Sequence, residues 1–134
     1  MNQNHIALIV GAVIAAVNNL EKNMHLLDSV TSVEDRAQAM NSHIANEHKG
    51  VVARLDVIVS KLRSAQHGSI ENLQMDTYQM FSIFKAVNEN IGELEKAQSY
   101  FCQMGNTEQL VASFQEKIAG LHFAMFEFNK IQNS

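Results

Sequence analysis

A chain of 134 residues is long enough for one domain that buries roughly two-thirds of its unfolded surface, and too short for two. Its 46% hydrophobic and 18% charged residues exclude a wholly disordered chain, and a net charge of −4 argues against a nucleic-acid binder working through a basic surface. With no Pro and only six Gly, the turn residues that many-stranded folds require are nearly absent, so an all-helical domain is expected.

The first helix is expected over about 4–30, with Ile6, Val10, Val13, Val17, Leu20, Met24 and Leu27 at alternating steps of four and three, a heptad seam. Its opening run, Ile6 to Val17, holds no charge. Twelve residues fall short of the about 17–25 that a bilayer span needs, and no Lys or Arg precedes them as in a signal peptide. No transmembrane segment is therefore expected, and the run reads as a helix buried on several faces.

Ser32, with Asp35 three residues on, marks the start of a second helix over about 33–65. Its seam is Val33, Ala37, Met40, Ile44, His48, Val51, Leu55, Ile58 and Leu62, and the two consecutive steps of four around Ile44 and His48 unwind the supercoil locally. Lys49, Arg54, Lys61 and Arg63 make this helix locally basic, a pattern read as a solvated face. Gly68 supplies a stop and Ser69 a cap.

The third helix is expected over about 69–104, with a seam of Ile70, Leu73, Thr77, Met80, Phe84, Val87, Ile91, Leu94, Gln98 and Phe101. Thr77 and Gln98 would be buried polar groups that fix register at some cost in stability. Gly105 ends it, Asn106 or Thr107 caps the fourth helix, and Val111, Phe114, Ile118, Leu121, Met125 and Phe128 carry that helix over about 107–132. Short connections between helices of about 40–50 Å imply an antiparallel up-down-up-down four-helix bundle, a single domain over 1–134. The start of helix 1, the end of helix 2, the start of helix 3 and the end of helix 4 then share one pole.

At that pole the apolar residues exceed one seam. Leu8, Ile9 and Ile14 of helix 1, Val57 of helix 2, and Phe123 and Phe126 of helix 4 are expected outside it. Gathered on an outer face they would make a patch of the size that marks an interface.

Chemistry-bearing residues are sparse. Bundle cores bind metal through inward His and Glu, and His43, Glu47, His48 and His122 fall near one level, the candidates for a metal or small-ligand site. The spacing of His25, His43, Glu47, His122 and Glu127 resembles part of the hemerythrin pattern, but no His lies on the third helix, and His25 and His43 sit at different heights. Glu89, Glu93 and Glu95 have Lys85 and Lys96 a turn away, as on a salt-bridged surface. No phosphate loop, no Gly-x-Ser-x-Gly and no Cys-x-x-Cys is present. The single cysteine, Cys102, allows no internal disulfide, fits a reducing cytoplasm and reads as a small core filler.

The sequence thus leads to a non-enzymatic helical interaction module in the cytoplasm, an adaptor, chaperone or immunity-type binder. It would be homodimeric or bound to a protein partner through the apolar patch on helices 1 and 4, with no cofactor and no nucleic acid. The alternative is a metal- or small-ligand-binding bundle built on the His and Glu residues.

Overall fold

The computed structural model describes residues 3–28, 35–67 and 73–133, and the side chains of these apart from 24–28, 35–43 and 45. Four helices account for nearly all of them, α1 (Gln3–Asp28), α2 (Asp35–Gln66), α3 (Thr77–Cys102) and α4 (Glu108–Gln132), and no strand occurs among the described residues. Three of the four match the expected spans closely. Ser32, Gly68, Ser69 and Ile70 lie outside the described residues.

The start of α3 differs. A seam read from Ile70 carries the helix back to 69, but Asp76 stops it with a capping box: its Oδ1 accepts from the Gln79 N–H at 2.7 Å, and Gln79 Oε1 accepts from the Asp76 N–H at 3.1 Å. Two of the N–H groups orphaned at a helix start are thereby satisfied. Leu73 is fully buried from the connection rather than from the helix. Thr77, expected on the buried seam, is exposed in the first turn. At the other end Gly105 (φ 72°) and Asn106 (φ 55°) make the turn in the left-handed region that favours these two residue types. The Thr107 hydroxyl donates back to the Phe101 carbonyl instead of capping α4.

The helices do not pack as a square. α1 touches all three others, α3 packs on α4, α2 meets α3 only thinly, and α2 and α4 do not touch among the described residues. A helix with neighbours on three sides needs apolar residues on more than one seam, which accounts for the uncharged run at its start: Ile6, Ile9, Val10, Ala12, Val13 and Val17 are all buried. Between Gln3 and Asn23 this helix is also long and apolar enough to cross a membrane, with only Glu21 and Lys22 charged among the residues flanking the run. Its twelve-residue charge-free core alone is not.

Contacts gather helix ends at one pole. Gln66 at the end of α2 donates to the Gln3 carbonyl, the His5 ring of α1 packs at a tilt on Phe123 of α4, and Gln74 ahead of α3 donates to the Ile131 carbonyl at the end of α4. The core lies toward this pole. Its buried residues fall within 6–17 of α1, 55–65 of α2, 83–91 of α3 and 118–128 of α4, with Leu73 beneath them.

Beyond that core the burial stops although the apolar repeat continues. None of the described side chains in 18–23, 44–54 and 94–117 is buried. Leu110 shares a helix face with Leu121 and Phe128 yet is 41% exposed, whereas both of those are buried. The tip of α3 and α4 is held by its own contacts: the Phe101 and Phe114 rings stack at 5.8 Å, and Gln98 donates to Gln115 at 3.0 Å. Gln98 is therefore a half-buried hydrogen-bonded residue of this tip rather than a fixer of register in the core.

Candidate functional site: the exposed face of α2 and α3

Six residues are the expected interface, and the structure divides them. Ile9 is fully buried, and Leu8 and Ile14 are half-buried against the core. These three face α3, α4 or α2 because α1 is the central helix, so they do not form an outer patch. Leu8 in addition fills the space over Gly120 of α4, where a Cβ would lie 2.9 Å from its Cδ1.

Phe123 and Phe126 are exposed as expected, but each carries a partial cover. The His5 ring packs at a tilt on Phe123 with centroids 4.8 Å apart, and Lys130 Nζ lies 4.7 Å above the Phe126 ring. Val57 is exposed too, but on another face, since α2 does not reach α4.

Val57 stands one turn from both Arg54 and Lys61, and those two cations are the polar ties between α2 and α3. Arg54 Nη1 donates to the Tyr78 hydroxyl at 2.6 Å, its guanidinium sits 4.9 Å above the Tyr78 ring, and its Nε donates to the Gly50 carbonyl at 3.2 Å. Lys61 Nζ donates to the Gln74 carbonyl at 3.0 Å and to Gln79 Oε1 at 3.1 Å. The basic residues of α2 are thus not simply a solvated face; two of them position α3.

Beside these ties a groove with a cavity volume of about 170 Å³ runs between α2 and α3, with residues of α1 also in its lining. Ala16 and Ala86 form a small-residue floor, Leu20, Val51 and Leu55 an apolar wall, and Lys85 and Glu89 part of the rim. Phe81, which also lines the groove, is 67% exposed and Tyr78 47%, whereas the exposed Val57 and Phe84 lie outside its lining.

The heptad reading missed this face. It placed Phe84 on the seam, whereas α3 is rotated so that Ile83, Ala86, Val87 and Ile91 are buried. The available signal was the spacing of three between Tyr78 and Phe81, which sets two aromatics side by side on the helix.

The alternative site is not assembled. Glu47 and His122 are exposed, His48 is half-buried, and His122 stands on α4, which α2 does not touch. The His43 side chain lies outside the described residues. His48 Nδ1 is buried and without a hydrogen-bond partner among the described residues, but no group of three His, Cys, Asp or Glu able to hold a metal occurs among them. Glu89, Glu93 and Glu95 make no ion pair with Lys85 or Lys96 among the described residues, contrary to the salt-bridged surface expected of them. Cys102 is exposed rather than a core filler.

Comparison with protein-family models, with curated proteins and with solved structures finds no match to the chain.

Proposed function

We propose that this protein is a non-enzymatic helical interaction module of the cytoplasm that binds a protein, itself included, through the face shared by α2 and α3. One observation carries the proposal: Tyr78 and Phe81 line a groove and leave large apolar surfaces exposed. Single exposed apolar residues are normal on any domain, but large aromatic side chains lining a concavity mark a candidate docking site. The groove has the form that receives an apolar side chain from a partner helix. Phe123 and Phe126, with their covers, make the α1 and α4 face the lesser candidate.

The test is the substitution Phe81→Ser. The side chain is exposed, so the melting temperature should change little, while association with itself or with a protein partner should be lost. Association unaffected by the change would sink the assignment of this face.

A further inference from the structure

We draw no further inference here: the strongest candidate, the groove between α2 and α3 lined by Tyr78 and Phe81, belongs to the site already described, and nothing in the structure shows what covers it.

Discussion

Gln132, in the last turn of α4, clamps Met75 ahead of α3: its Oε1 accepts the Met75 N–H at 2.9 Å while its Nε2 donates to the Leu73 carbonyl. One side-chain amide thereby satisfies a donor and an acceptor of a connection that has no regular partners of its own, and Leu73 can stay buried without orphaning its carbonyl. Gln132→Leu should cost about 1–3 kcal/mol, since it leaves partly buried backbone groups unpaired. Urea unfolding checks it, with a lowered midpoint and an unchanged slope.

The capping box places the first turn of α3, and with it the groove. Asp76→Ala should destabilise the protein by about 0.5–2 kcal/mol, and Asp76→Ser should recover most of the loss. Gln79 both closes the box and accepts from Lys61, so Gln79→Leu should be worse than loss of the box bond alone. Thermal melts of the three variants give the order; an Asp76→Ser variant no better than Asp76→Ala would count against the cap.

Leu110 and Phe128 occupy one face of α4 but opposite sides of the boundary where burial ends. Phe128→Ala should cost about 3–5 kcal/mol, as expected for an aromatic with no exposed surface. Leu110→Ala should fall within about 0.5 kcal/mol of the wild type. Equal costs in chemical denaturation would mean that the core extends to the tip.

Gly120 is the close approach between α4 and α1. A Cβ there meets Leu8 Cδ1 at 2.9 Å, the far end of a flexible side chain, so Gly120→Ala trades a displaced Leu8 against the helix propensity it gains. In a Leu8→Ala background the obstruction is gone, and the same change should stabilise by about 0.5–1 kcal/mol. Gly92→Ala, with nothing within 4 Å of its Cβ, should show that gain in the wild-type background. A double-mutant cycle on Leu8 and Gly120 that came out additive would remove the contact from consideration.

Helix number and most boundaries could be read from the periodicity, because amphipathic repeats and the Gly105 turn are local signals. What could not be read was how many neighbours each helix has. A heptad assigns one seam per helix, so Ile9, which serves the extra neighbours of α1, looked surplus and was placed on the surface. The converse error fell on α3, where Phe84 fitted the repeat and Ile83 did not, although the rotation set by packing against α1 and α4 buries Ile83. Asp76 and Gln79 carried a legible cap, masked by Leu73 and Thr77 lying in phase with the repeat on either side of it. Arg54 and Lys61 reach across to Tyr78, Gln74 and Gln79, and long-range reach of that kind has no signature in spacing.

The end of burial along α3 and α4 also sets how the molecule breathes. Opening the stretch from Leu94 to Lys117 uncovers no fully buried side chain, so it needs less free energy than unfolding the whole chain. Its amides should exchange with deuterium through a sub-global opening. Those of Ile83 to Ile91 and Ile118 to Phe128 should exchange only when everything unfolds, which makes the tip a foldon of its own.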